Sequence, residues 1–512
     1  MNTRFHRNVL SALLASAFGA AAVLPTGAQA AEADLLQKIE ALQAQIDALK
    51  AEVAAQRAAG SAKAAPPPAQ TAAAAPAAAG SSGSPVSTRV EDGYIIWSSQ
   101  DGNYELKLDG RVQLDTGSID SNKNASVVKS DTKFRRVRFS TKSKLGPDWE
   151  AEFDLDFANN AVDTKDMWVA YRGIPGLGIK LGHFKPHFSL DQVTSSRVAT
   201  YMESSIATEV IAPSRRMGLA ADYANDLVFV GAGIFGDKAN TDGEARDNPS
   251  LNGESETYGY AARLVARPFW RGESDKVFHV GFNLLNNKPR SNAKPDDARL
   301  KFAGVLEQEL SQIEFIDTKQ IQGVKSAQTT GVELAMKYGH HIFSGEYLHT
   351  RVKLDGVRPD MDATLAAQWP SIRDPRFSGY YVAYSYFLNG DRKYDPTTAE
   401  FAGITGKNAV ELTMRYSVAD MNDPNGGYTR SRTSSYKASS RGVFGGKAKI
   451  ATLGVNWYPN SNLMFMLNYM LVKLDPYADA DAGSFEYANG TVVPILGGDK
   501  LRVLGLRAQY TF

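Results

Sequence analysis

The sequence predicts an all-β protein: an antiparallel, up-and-down transmembrane β-barrel of about 16 strands, preceded by a short coiled-coil helix and a disordered linker. Three observations carry that expectation. The chain ends on a two-faced strand, with Leu504, Leu506, Ala508, Tyr510 and Phe512 on one parity and Arg507, Gln509 and Thr511 on the other. It opens with an export signal. Past that signal, no stretch approaches the roughly 20 apolar residues that a membrane helix needs. A membrane home therefore leaves only a closed barrel, because every backbone polar group in lipid must be satisfied internally.

The signal occupies residues 1–30. Arg4 and Arg7 form its positive start, Val9 to Leu24 is apolar or small, and Ala28-Gln29-Ala30 fits a small-residue cleavage site. An exported chain with a barrel-type ending belongs in the Gram-negative outer membrane. Residues 31–57 read as a short coiled coil, with Ile39, Ile46 and Val53 at a and Leu35, Leu42 and Leu49 at d. Residues 58–93 form an Ala/Pro/Ser/Gly-rich linker, including Pro66-Pro67-Pro68, that has nothing with which to bury a core. The N-terminal segment would then be periplasmic.

Residues 94–512 form the barrel. Tyr104, Leu106, Leu108, Val112 and Leu114 alternate with Glu105, Lys107, Asp109, Arg111 and Gln113. Trp149, Ala151, Phe153, Leu155 and Phe157 alternate with Glu150, Glu152, Asp154 and Asp156. Leu453, Val455 and Trp457 run into the turn Tyr458-Pro459-Asn460, after which Leu463, Phe465, Leu467, Tyr469 and Leu471 resume the pattern. Polar stretches near 237–255, 287–328, 354–376, 390–407 and 420–446 read as extracellular loops beside short periplasmic turns. The 22 Tyr and 23 Phe suit aromatic girdles at the two membrane interfaces.

Composition narrows the chemistry. With no cysteine, a disulfide framework and any thiolate metal site are excluded. The formal net charge of +1 provides no strongly basic surface for nucleic acid. Adjacent His340 and His341 point to opposite faces of a strand and cannot share a metal. No phosphate-binding glycine loop, nucleophile elbow or zinc-protease motif is present, so neither a cofactor, a bound metal nor an enzyme is expected.

At Phe134-Arg135-Arg136 and across Phe188-Ser189-Leu190-Asp191-Gln192-Val193-Thr194-Ser195-Ser196-Arg197, the chain resembles the phosphate-selective porin O/P family. Leu108-Asp109-Gly110-Arg111-Val112-Gln113, Thr452-Leu453-Gly454-Val455-Asn456-Trp457-Tyr458 and the Phe-terminated last strand agree. The resemblance implies a sixteen-stranded barrel, a homotrimer, a loop folded into the lumen and a ladder of arginines drawing small anions such as phosphate or polyphosphate. It places Arg111, Arg135 and Arg136 in the constriction.

The residues themselves point the same way. Arg111 lies on the polar parity of its strand, and Arg136 and Arg138 share one face of the next. Arg135 falls on the other parity with Val137 and Phe139, so either a bulge turns it inward or it lies at a rim. The stretch from His183 to Arg216 is the candidate constriction loop, with Lys185, Gln192 and Arg197 as candidate anion contacts; Arg215 and Arg216 read as the start of the next strand. Two features weigh against the phosphate reading, the first against selectivity for orthophosphate and the second against anion preference itself. Where phosphate-selective members carry a lysine, this chain has Gln192, which adds no charge. The polar face of the Trp149 strand is acidic throughout, unless its acids pair with Arg136 and Arg138. The expected function is passive diffusion of small hydrophilic solutes, chiefly anions, through an Arg-lined constriction. The alternatives are a general porin without phosphate selectivity and an envelope protein tethering the outer membrane to the cell wall through the coiled coil.

Overall fold

The computed structural model describes residues 86–512, apart from 92–93, 127, 129, 159–161, 240–255, 270–274, 290–297, 312, 431–439 and most of 356–371 and 476–497. The signal, the coiled coil and most of the linker lie outside the described residues. The stretch read as linker ends in ordered chain: β1 (Val86–Glu91) and β2 (Tyr94–Ser99) form an antiparallel hairpin.

Among the described residues, sixteen strands, all antiparallel, then form the barrel wall; a few two- and three-residue strands lie in the long connections. They are β3 (Tyr104–Ser121), β4 (Asp131–Leu145), β5 (Trp149–Asp156), β6 (Asp163–Ile174), β7 (Leu177–Phe184) and β8 (Arg216–Ala224). Next come β9 (Val228–Phe235), β10 (Glu256–Ala266), β11 (Lys276–Pro289), β12 (Val324–Tyr338) and β13 (His341–Leu354). The ring ends with β14 (Arg376–Asp395), β15 (Glu400–Arg430), β16 (Ser440–Asn460), β17 (Leu463–Leu474) and β18 (Lys500–Thr511). Each pairs with its sequence neighbour, and β18 pairs with β3, from Leu501 opposite Ser121 to Thr511 opposite Arg111. These sixteen strands close into a ring without a free edge, to which the β1–β2 hairpin adds through β2 and β3. No helix among the described residues is long and apolar enough to cross a membrane.

Phe512 completes the seam. Its backbone exchanges hydrogen bonds with Gly110 (N–H to O distances of 2.8 and 3.1 Å), and a Cβ on Gly110 would sit 2.1 Å from its ring. Any side chain at position 110 would have to displace that ring. Gly110→Val is therefore expected to impair closure, giving little heat-modifiable folded barrel on gel electrophoresis of membrane fractions. Wild-type levels of folded protein would refute this account of the seam.

The outer face meets the expectation of an apolar, lipid-compatible surface. Leu181, Leu219, Val332, Leu453, Leu471 and Leu506 all stand exposed. Outward aromatic residues gather at the short-turn end, where Trp149 faces Tyr171 at 5.1 Å between ring centroids, Trp457 faces Phe465 at 5.3 Å and Tyr510 faces Phe512 at 5.7 Å. They form an interfacial girdle.

The interior differs from the sequence reading in three places. The segment 287–328 contains the end of β11 and the start of β12, and the described residues between them, 298–311 and 313–323 (L5), fold into the lumen rather than out into solvent. There Phe302, Leu306, Leu310, Ile313 and Phe315 pack against inward Val472, Leu501 and Val503. The barrel interior is thus apolar where L5 fills it, and again at the short-turn end, where Tyr394 and Phe401 join inward Phe229, Val265, Val277, Ile342, Phe387 and Met464 in a second buried cluster. Residues 390–407 are not an extracellular loop. They extend β14 and β15 at the short-turn end as a hairpin, with register shifts after Phe387, Asn389 and Arg392. Its tip turns inward, where Arg263 donates to the Thr398 and Ala399 carbonyls and Tyr394 Oη bonds His279 Nδ1 at 2.8 Å. Finally, most of 420–446 is strand, in β15 and β16.

Candidate functional site: a charged constriction

The stretch read as the candidate constriction loop lies between β7 and β8 as residues 185–215 (L3). The barrel wall holds both its ends. Ser189 N–H donates to Asn283, Leu190 N–H to Glu333 (3.0 Å) and Asp191 N–H to Glu346 (2.7 Å), seating the short helix α1 (Leu190–Val193) on the β11–β13 wall. These carboxylates satisfy amides that a helix N-terminus leaves unpaired. The loop then crosses to the far wall, where Asn456 donates to the Thr200 carbonyl, Asn468 accepts from Met202 N–H and Arg507 donates to the Met202 carbonyl. It returns through α2 (Ile206–Ile211), capped by Ser205 and with Ile206 N–H donating to Glu307 of L5 (2.9 Å). Ala207 packs on Gly379, where a Cβ would lie 2.8 Å away.

Between L3, L5, the inturned hairpin and wall residues of β4, β6 and β13–β15 lies a cavity of about 280 Å³, lined by eight basic and four acidic side chains. Arg135 faces it because of a bulge: Gln113 pairs with Arg136 and Leu114 with Phe134, so Arg135 is the extra residue. Glu203, at the tip of L3, is the centre of the cluster. It accepts from Arg135 Nε (2.9 Å) and Nη2 (3.1 Å), from Arg136 Nη1 (3.1 Å) and Nη2 (2.8 Å), and from Arg507 Nη2 (2.7 Å). Burial alone would raise its pKa, but the guanidiniums of Arg135, Arg136 and Arg507 hold the carboxyl well below the usual range. Arg135 also bonds Glu309 of L5 at 3.0 Å.

The acidic face of β5 does line the interior. Arg138 meets Asp156 at 2.8 Å and Asp154 at 3.6 Å, whereas Arg136 turns to Glu203 instead. Arg215 lies at the end of L3, pairs with Asp166 at 2.5 Å and lines the cavity; β8 begins with Arg216. Lys165 pairs with Asp163, Arg392 with Glu411 (3.0 Å) and Arg415 with Glu307 (2.7 Å).

Lys185 is different. Its Nζ donates to the Gln192 and Thr194 carbonyls at 2.6 and 3.2 Å, and among the described residues no carboxylate lies within ion-pair distance. Burial and the neighbouring Arg215 guanidinium push its pKa down to about 7.

Of the residues singled out in the sequence, Arg135, Arg136, Arg138, Lys185 and Gln192 meet at this cavity. Gln192 donates its side-chain amide to the Pro213 carbonyl at 2.6 Å and so ties the start of L3 to its end. Arg111 and Arg197 stand apart from the cavity lining. Arg111 pairs in register with Arg138 and is buried, and its Nε and Nη1 meet no protein acceptor. Arg197 pairs with Asp109 and lies over the Tyr94 ring. Sequence reasoning missed Glu309, Arg392 and Arg415, because they reach the cavity from distant segments. Arg507 stands on the polar parity of the last strand in the sequence, but nothing there joins it to Glu203.

A closed sixteen-stranded barrel with an aromatic-ringed apolar exterior and inward-folded loops around a charged cavity defines an outer-membrane channel of the porin class. The chain belongs to the family of phosphate-selective porins O and P, whose model matches residues 106–512. An uncharacterized protein of Caulobacter vibrioides is 27% identical over 535 aligned positions, spanning 99% of this chain and 97% of that one. Porin O of Pseudomonas aeruginosa is 24% identical over 432 positions, spanning 77% of this chain and 88% of its own. An anion-selective porin from Comamonas acidovorans is a structural neighbour at 13% identity and a TM-score of 0.45, covering 80% of this chain and 100% of that one.

Proposed function

We propose that this porin passes small anions in preference to cations, by passive diffusion and without catalysis. Phosphate-type oxyanions, including short polyphosphates, are the solutes its guanidinium forks suit, and it works as a homotrimer. The observation that carries the anion preference is Lys185. An anion entering a narrow lumen loses hydration and needs a fixed cation whose charge is not already spent on a carboxylate. The other cavity cations each hold an acid; Lys185 is held by carbonyls alone. Arg111 supports the reading from outside the cavity lining, with donors that no protein group takes. Arginine suits phosphate because its planar fork matches two oxygens at once.

Purified protein in planar bilayers under a KCl gradient should give a reversal potential of anion sign, and millimolar phosphate should reduce the chloride current. A cation-signed potential would remove the anion preference and leave the channel intact. A current indifferent to phosphate would remove the oxyanion site alone.

A further inference from the structure

We propose that Glu309 is a specificity-determining residue: a carboxylate tethered on L5 that occupies a guanidinium fork and sets how tightly an incoming two-oxygen anion binds there. This rests on the anion-passing reading above and deepens it. The bulge in β4 places the Arg135 guanidinium beside that of Arg136, facing the cavity. Glu203 bridges the two, and Glu309 Oε1 takes Arg135 Nη2 at 3.0 Å. Loop carboxylates therefore sit where the oxygens of a permeating phosphate or carboxylate would sit. A conducting site must also release its ion. Two adjacent forks without internal acids would form a trap, whereas an anion that displaces Glu309 exchanges one partner for another and leaves when Glu309 returns.

Glu309 is free to play this part because it does not anchor its own loop. L5 is held by Glu307, which accepts from Arg415 (2.7 Å), Ile206 N–H (2.9 Å) and Thr452 (3.3 Å), and by Leu306, Leu310, Ile313 and Phe315 in the apolar cluster. The Glu309 side chain stays 20% exposed, lines the cavity and makes its ion pair with Arg135 alone among the described residues.

A third acid faces the same place. Burial, then Glu309 and Glu203, push the Glu209 carboxyl up to about 7. Once Glu309 is neutralised, Glu209 ionises more readily and is drawn to Arg135, whose charge it already feels. A double variant is therefore needed beside the single one.

The test is phosphate block of chloride current through the purified full-length porin, comparing wild type, Glu309→Gln and Glu209→Gln/Glu309→Gln. The half-blocking phosphate concentration should fall about tenfold in the single variant, or in the double variant where Glu209 had taken over, as expected for one released charged hydrogen-bond partner. Unchanged or weaker block in both variants overturns the role of Glu309. Wild-type reversal potentials separate the two ideas. Anion preference with unaltered block removes Glu309's role alone, whereas no anion preference in the wild type removes the function on which it rests.

Discussion

Glu203→Gln is expected to lower the unfolding midpoint of the detergent-solubilised porin and, in the same protein, to sharpen its preference for anions. Glu203 joins three guanidiniums from two strands, Arg135 and Arg136 on β4 and Arg507 on β18, to the tip of L3. Removing one partner of a buried ion cluster costs about 3–5 kcal/mol, because the remaining charges stay buried without compensation. Arg507 would keep Asp115 at 2.7 Å and Arg135 would keep Glu309, but Arg136 would keep only the Gln113 amide at 2.8 Å. The barrel ladder itself is untouched, so the loss concerns the seating of L3 rather than closure of the wall. The same change adds one unit of positive charge to the cavity, which moves the reversal potential further toward anions. Thermal unfolding and bilayer potentials measured on one preparation check both halves. A wild-type midpoint together with an unmoved potential would mean that Glu203 is not the centre of the cluster.

Anion preference should also fall as pH rises through about 7, and Lys185→Gln should remove most of that dependence. The sign follows from the direction of the shift. Burial and Arg215 lower the Lys185 pKa from the ordinary lysine value to about 7, so its ammonium is present below that pH and is lost above it. Glu209 titrates over the same range and gains negative charge as pH rises, which acts in the same direction. Adding Glu209→Gln to Lys185→Gln should therefore flatten the residual slope further. Lys185→Arg, charged throughout, should hold the preference across pH 6 to 8. Reversal potentials at closely spaced pH values distinguish these outcomes, and a flat wild-type profile would rule out Lys185 as the controlling cation.

Much of this was legible in the sequence, for a physical reason. A strand between lipid and lumen must alternate, so the parities of β3, β5, β16, β17 and β18 declared the wall, its outer face and its strand number. The motif with Arg135 and Arg136, and the stretch from His183 to Arg216, supplied residues that meet at the internal cavity. Reading failed where period two is uninformative. Leu501 and Val503 face inward although they are apolar, because L5 covers them, and alternation cannot say what fills a barrel. The hairpin at 390–407 is polar and glycine-containing like an outer loop, yet the parity of strand crossings puts it at the short-turn end. Arg135 shows the same limit on the scale of one residue, since only the register of two strands reveals the bulge that turns it inward.

The sequence by itself determined the wall: side chains alternate between two solvents along each strand, and that constraint is local and repeats. Only the tertiary structure decided which charges remain available inside. Glu203 reaches Arg507 across 304 positions of chain and Glu309 reaches Arg135 across 174. Whether a guanidinium is offered to an ion or already holds a carboxylate depends on such long-range meetings, which no local pattern records.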